Sequence, residues 1–159
     1  MARLIILDAG PLNDAAGSLG RRLSDDCRVW LAARVSDGAT IVIPEIADYE
    51  VRRGFLHLLM KRAPQVTMLA NIQRLDELKV VHRYEPITTA AMLLAAELWA
   101  RARFQGIPTA PPEALGADTI LVAMAWGLVD QGHDVTIATG DKDITRFPEV
   151  DARHWTTID

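Results

Sequence analysis

Residues 3–11 read Arg3-Leu4-Ile5-Ile6-Leu7-Asp8-Ala9-Gly10-Pro11. A short apolar run with two isoleucines, stopped by a carboxylate and followed directly by turn-forming residues, suits a buried parallel strand with Asp8 at its carboxyl end. In open α/β sheets ligands bind at that end. Asp8 is therefore a candidate site residue: an acid closing a buried strand faces a polar rim and, with turn residues beside it, has no helix to cap immediately.

Outward from this strand, helix and strand patterns alternate. A helix is expected across roughly Asp25 to Ser36, then a second strand at Thr40-Ile41-Val42-Ile43, with Pro44 as the first residue of the next helix, where its missing N–H is harmless. That helix, about Glu45 to Arg62, carries Ala47, Val51, Gly54, Phe55 and Leu58 on one stripe. Glu50 lies on the margin of the stripe and Glu45 toward the opposite face, so Glu50 is the better placed to look into a cleft. Ala63-Pro64 breaks the run, Val66 to Leu78 makes another helix, and Lys79 to Tyr84 is a short strand candidate. Thr88 or Thr89 caps a long helix through Phe104, in which Glu97 and Arg101 have i, i+4 spacing. A loop rich in proline and alanine, Gly106 to Ala114, leads to a helix from Asp118 to Trp126 that is apolar nearly all round, with Asp118 at its first turn. The last strand is Asp134 to Thr139, emptying into Gly140-Asp141-Lys142-Asp143. The alternation predicts a three-layer α/β/α fold with a central parallel sheet.

Half of the 159 residues are apolar and 24% are charged, the composition of a folded globular chain. The length suits a single domain over residues 1–159. Cys27 is the only cysteine, so no intrachain disulfide forms; without a positively charged leader and apolar h-region, a reducing, cytoplasmic location is expected. The longest apolar run, Thr119 to Val129, falls short of the ~20 residues that cross a bilayer, and no membrane segment is expected. The formal net charge of −4 means that any nucleic-acid partner must be held by a local basic patch.

Parallel strands share one carboxyl rim, so Asp8, Glu50, Asp118 and the pair Asp141 and Asp143 are expected to converge although they lie far apart in sequence. Crowded carboxylates repel and raise each other's proton affinity, a cost that a hard cation with oxygen ligands removes; Mg²⁺ or Mn²⁺ fits best. His57, His82, His133 and His154 lack the spacing of a zinc site. Simpler readings stand beside these. Asp118 could be a helix N-cap, Asp141 or Asp143 could be turn residues, and a lone glutamate such as Glu50 is more often solvated. Asp14, Asp25, Asp26, Asp37, Asp48, Asp76, Asp130 and Glu149 carry no positional signal and read as surface. Ser18, Ser24 and Ser36 belong to no Ser-His-Asp arrangement. Arg21, Arg22, Arg52, Arg53, Lys61, Arg62, Arg101 and Arg103 are candidate phosphate contacts, with Arg52 and Arg53 nearest the site. Trp30, Trp99, Trp126 and Trp155 lie in apolar patterns that favour core or dimer packing over base stacking.

Four stretches, Leu7 to Leu12, Ile43-Pro44 leading to Tyr49 through Gly54, Ala117 to Ala123, and Ala138 to Asp143 with Phe147, resemble the PIN-domain pattern in order and approximate spacing. The resemblance covers nearly the whole chain. It implies an α/β/α fold and divalent-metal cleavage of RNA, often by the toxin of a bacterial toxin–antitoxin pair. It implies Asp8 and Asp118 as the principal metal ligands, completed by Glu50 and Asp141, with Asp141 and Asp143 competing for one role and Thr139 as a hydroxyl residue beside the site. A homodimer and a small antitoxin protein are the partners it implies, alongside the RNA substrate. Cations at such a site would activate water for in-line attack on the phosphodiester. Two alternatives come from other classes. One is a non-catalytic nucleic-acid or protein-binding module on the same fold. The other is a phosphoryl-transfer enzyme of the haloacid-dehalogenase type, which expects a second acid where this chain has Gly10.

Overall fold

The structure is a computed structural model that describes residues 3–62, 64–106 and 112–159. Its centre is a sheet of five strands, all parallel, in the order β3-β2-β1-β4-β5. The strands are β1 (Arg3–Leu7), β2 (Thr40–Pro44), β3 (Arg83–Glu85), β4 (Asp134–Thr139) and β5 (Asp151–His154). Among the described residues six α-helices flank them: α1 (Ala9–Ala16), α2 (Arg22–Ser36), α3 (Glu45–Met60), α4 (Gln65–Val81), α5 (Thr89–Phe104) and α6 (Pro112–Asp130).

The central strands are apolar along their length because both faces are covered. Leu4 and Ile6 of β1, Val42 of β2 and Val135 and Ile137 of β4 point to one face and pack against α5 and α6. Ile5, Leu7, Ile41, Ile43 and Ala138 point to the other, where Leu12, Leu31, Val51, Phe55 and Leu75 from α1 to α4 cover them. Each fully buried leucine or isoleucine contributes roughly 1.5–3 kcal/mol by leaving water, so these two layers are the main source of stability. Among the described residues no helix is long and apolar enough to cross a membrane.

Several expectations need correction. Ala9-Gly10-Pro11 is not a turn but the start of α1, which Asp8 caps by accepting a hydrogen bond from Ala9 N–H at 2.7 Å. Pro11 fits there because a first-turn N–H has no intrahelical partner to lose. Pro44 closes β2 and stands as the N-cap of α3. Lys79 to Val81 continue α4, which shortens the third strand to Arg83–Glu85. Thr88 is the cap of α5, its hydroxyl accepting from Ala91 N–H at 3.0 Å. On α3, Gly54 and Leu58 of the expected stripe are exposed, while Ala47, Val51 and Phe55 are buried. The sheet does not end at β4: the polar stretch Asp151–His154 adds β5 at its edge. Trp155 follows it and meets Trp30 with ring centroids 5.5 Å apart, tying the end of the chain to α2. Trp126 packs against the other core layer, and Trp99 is more than a third exposed. The break at Ala63 and residues 107–111 of the expected loop lie outside the described residues, and α6 already begins at Pro112.

Two acids read as surface are not. Asp48 is buried on α3, with Arg52 Nη2 at 2.9 Å and Lys79 Nζ at 3.0 Å, so it clamps α3 to α4. Lys79 also lies 4.5 Å from the centre of the Tyr84 ring. Asp48→Ala would leave two half-buried cations without this partner, and we expect a loss of about 2 kcal/mol after allowing for their partial exposure. Urea unfolding measures it. A loss below about 0.5 kcal/mol would show that water already compensates the cations. Glu149 is the second: it pairs with Arg101, which is therefore not the partner of Glu97.

Candidate functional site

The carboxyl ends of β1 and β4 lie side by side, with Leu7 opposite Ala138, and this register sets the site. Asp8 follows β1 and its backbone N–H donates to Ala138 O at 2.9 Å. Its side chain is 9% exposed, with both oxygens held. Oδ1 accepts from Ala9 N–H, and Oδ2 accepts from the Thr139 hydroxyl at 2.7 Å. The Thr139 oxygen in turn accepts from Asp141 N–H at 2.8 Å, and Asp141 Oδ1 accepts from Asp143 N–H at 2.8 Å. Thr139 thus joins the last residue of β4 to Asp8 and to the turn beyond the strand.

Glu50 enters from the second turn of α3 and Asp118 from α6. Asp118 is the seventh residue of α6 and not in its first turn, which removes the N-cap reading: its own backbone is already inside the helix. Asp8, Glu50, Asp118, Asp141 and Asp143 all line one open cleft of about 760 Å³, together with Gly10, Lys142 and Arg146. The structure therefore brings all five predicted acids together.

Their electrostatics follow from this crowding. Asp118 is pushed up to about 7, first by burial and then by the charges of Asp141, Asp8, Glu50 and Asp143, in that order. Burial also raises Asp8; the hydrogen bonds from Thr139 and Ala9 oppose the rise, and the charge of Asp141 adds to it. Glu50 is raised by burial and by Asp8, with Arg53 opposing. Among the described residues no three acids stand close enough to form a ready coordination cage. The donor set is nonetheless all oxygen, anionic and mutually repelling, which suits a hard divalent cation and not zinc or copper.

The basic residues divide differently from expectation. Arg52 is turned away, bound to Asp48 and to Asp76 at 2.6 Å, whereas Arg53 reaches Glu50 at 3.7 Å and lies over the Tyr49 ring at 5.1 Å. Arg21, Arg22, Lys61, Arg62 and Arg103 are not among the described residues that line the cleft. Lys142 and Arg146 do line it, and neither stood among the candidates. Their signal was position: both follow the carboxyl end of β4, Lys142 between Asp141 and Asp143 and Arg146 at the end of the short 3-10 helix Ile144–Arg146 just beyond.

Comparison with known proteins agrees with this fold. A family model described as PIN domain matches residues 5–150. FitAcB from Neisseria gonorrhoeae is similar in structure, with a TM-score of 0.69 at 18% identity, over 97% of this chain and 99% of the other. VapBC2 from Rickettsia felis, solved bound to a DNA fragment from its promoter, has a TM-score of 0.64 at 14% identity, over 96% of this chain and 98% of the other. The DNA-bound VapBC from Salmonella typhimurium has a TM-score of 0.66 at 13% identity, over 98% and 99%. At these identities the likeness carries the fold alone. No curated protein sequence matches the chain. The haloacid-dehalogenase alternative gives way, since Gly10 sits inside α1 and the whole pattern from β1 through β4 falls under a different family. With a five-stranded parallel sheet, an acidic cleft at its carboxyl rim and a family match running almost end to end, the chain belongs to the PIN domain family.

Proposed function

We propose that the protein is a divalent-metal-dependent endoribonuclease that hydrolyses RNA phosphodiester bonds in the carboxylate cleft, acting as a single domain in the cytoplasm. The observation that carries this reading is the convergence of five acids from separate elements on one open cleft, where burial first and then the charges of its neighbours raise Asp118 to about 7. A non-catalytic binding module has no use for this crowding of charge, whereas a cation relieves it. Asp8, Glu50, Asp118 and Asp141 would hold Mg²⁺ or Mn²⁺. Asp141 acts on Asp118 first among the neighbouring charges and Asp143 last, which supports Asp141 as the fourth ligand. Asp143 instead faces Arg146 at 3.5 Å.

When bound, such a cation supplies the acidity that activates water and offsets negative charge on the leaving oxygen. The chain's own residues do the positioning. Thr139 fixes the rotation of the Asp8 carboxylate and anchors the turn that presents Asp141. Burial and the neighbouring acids raise Asp118 toward neutrality, and a cation held in the cleft would favour its ionised form. Thr139→Val keeps the shape and removes only the hydroxyl, so we expect kcat to fall about 10- to 100-fold with KM little changed, as for other groups that orient a ligand. Steady-state kinetics on a single-stranded RNA measures it, and an unchanged kcat would remove Thr139 from the site.

The reading is tested by incubating the protein with generic single-stranded RNA and Mn²⁺ or Mg²⁺. Cleavage that EDTA abolishes supports it; no cleavage with either metal, or cleavage indifferent to EDTA, contradicts it. We also infer that the protein is the toxin of a toxin–antitoxin pair, a reading supported by its likeness in fold to the VapBC structures. A small partner protein co-purifying from the native host tests this inference; its consistent absence counts against it. A homodimer is supported by exposed apolar side chains on α4, Val66, Leu69, Val80 and Val81. Light scattering that gives the mass of one chain at micromolar concentration would remove the dimer.

A further inference from the structure

Glu50 is held in the cleft differently from Asp8. Both oxygens of Asp8 accept hydrogen bonds, whereas among the described residues the charged partner of Glu50 is Arg53 from its own helix, at 3.7 Å and beyond hydrogen-bonding range. Where the Glu50 carboxylate stands therefore depends on how α3 is rolled about its axis. Ala47, Val51 and Phe55 seat the helix in the core, but apolar contact is non-directional and opposes a small roll only weakly. The directional contacts of α3 lie on another side. Asp48, two residues before Glu50 and so about 200° around the helix, is 7% exposed and has a cation on each oxygen: Arg52 Nη2 at 2.9 Å from Oδ1, and Lys79 Nζ of α4 at 3.0 Å from Oδ2. Arg52 reaches on to Asp76 of α4 at 2.6 Å. Four charges from two helices thus form one lattice, and none of the four lines the cleft.

We propose that Asp48 and Lys79 are positioning residues for the cation site: their ion pair fixes the roll of α3 against α4 and so sets where the Glu50 carboxylate stands. A roll of about 10–20° moves a carboxylate carried about 6 Å from the helix axis by roughly 1–2 Å, whereas metal–ligand distances hold to within about 0.2 Å. A small release of the lattice is therefore felt at the metal. Because the two residues carry opposite charges, positioning and simple field effects differ in sign. Removing the Asp48 charge weakens cation binding by field alone, but removing the Lys79 charge leaves the surroundings more negative and by field alone tightens it. A pair that sets the roll weakens binding when either member is lost. The inference rests on the cation reading of the cleft given above, and its test reads binding and not cleavage.

The test is calorimetric titration of Mn²⁺ into the metal-free protein at pH 8, with circular dichroism and thermal melting as checks on folding. Asp48→Asn and Lys79→Met are each expected to weaken Mn²⁺ binding about tenfold, the low end of the loss when a group supporting a metal ligand is removed. In a Glu50→Gln background neither substitution should weaken it further by more than about twofold, because the ligand whose place they set has lost its charge. Trp30→Phe, which gives up the hydrogen bond to Ile158 O at 3.1 Å and lowers the melting temperature away from α3, should leave the affinity within about twofold of the wild type. Tighter binding by Lys79→Met overturns the positioning role in favour of a field effect, and an undiminished loss in the Glu50→Gln background or an equal loss in Trp30→Phe overturns it as well. If Asp48→Asn does not fold, Lys79→Met decides alone, since positioning and field predict opposite signs for it. Saturable binding by the wild type with both variants unshifted overturns the positioning role and leaves the cation reading standing, whereas no saturable binding by the wild type overturns both.

Discussion

Asp8→Asn is expected to lower metal-dependent RNA cleavage by about 10³-fold or more while leaving the melting temperature nearly unchanged. The fold survives because an asparagine oxygen can still accept the Ala9 N–H, and asparagine caps a helix about as well as aspartate. The Thr139 hydroxyl, which now donates to Asp8 Oδ2, can turn to accept from the new amide. What is lost is the negative charge, and a neutral amide is a far poorer ligand for a hard cation than a carboxylate. The size of the loss follows by comparison: removing a group that merely orients a ligand costs about 10- to 100-fold, so removing the ligand's charge costs more. Cleavage kinetics and thermal melting on the same preparation check both halves. Undiminished cleavage by Asp8→Asn would exclude it from the reaction.

Asp118→Asn is expected to abolish cleavage on the same scale and, without metal, to melt at a higher temperature than the wild type. Asp118 is ionised in the unfolded chain above its ordinary value of 3.8, but in the folded protein only above about 7. The folded state therefore binds the extra proton between these values, and wild-type stability falls as pH rises from about 4 to 7 and then levels off. The asparagine variant has no such loss, so its advantage is absent near pH 4, grows through pH 6 and is complete above pH 7. Asp118 remains partly open to water, and screening reduces the advantage to roughly 1–2 kcal/mol, or about 2–8 °C in melting temperature. Excess Mn²⁺ should reverse the order, because a ligand that binds only the native state at a hundredfold excess over Kd adds about 2.7 kcal/mol to the wild type and much less to a site with one charge removed. Thermal melting over pH 4 to 8, with and without Mn²⁺, checks the prediction. Equal Mn²⁺ shifts in the two proteins, with no advantage for the variant without metal, would place Asp118 outside any cation site.

How much of this could be read from the chain depends on where the physical signal lies. β1 and Asp8 were legible because a strand buried on both faces is an unbroken apolar run, and its end is marked by the first charge. The convergence of Asp8 and Asp141 was legible for a related reason: parallel strands put their carboxyl ends on one rim. The short helix α1 was hidden by Gly10 and Pro11, residues that signal turns but are tolerated in a first turn capped by Asp8. The start of α6 was hidden in the same way, since Pro112 reads as loop and yet suits the first position of a helix. That error placed Asp118 in a first turn and kept the capping explanation alive until the structure removed it. β5 left no pattern at all: Asp151-Ala152-Arg153-His154 is an edge strand whose polar side chains guard against pairing with other chains. Asp48 and Arg52 were misread because burial of a charge depends on its partners, here Lys79 from another helix, which no local pattern announces.

The central claim, that the acids at the carboxyl rim form one divalent-cation site, is tested most directly by titrating Mn²⁺ into the metal-free protein in a calorimeter at pH 6 and pH 8. The account predicts saturable binding that is tighter at pH 8, release of a proton at pH 6 as Asp118 ionises, and loss of most of the binding in Asp8→Asn. No saturable binding in the wild type, or binding of equal strength in Asp8→Asn, would contradict it.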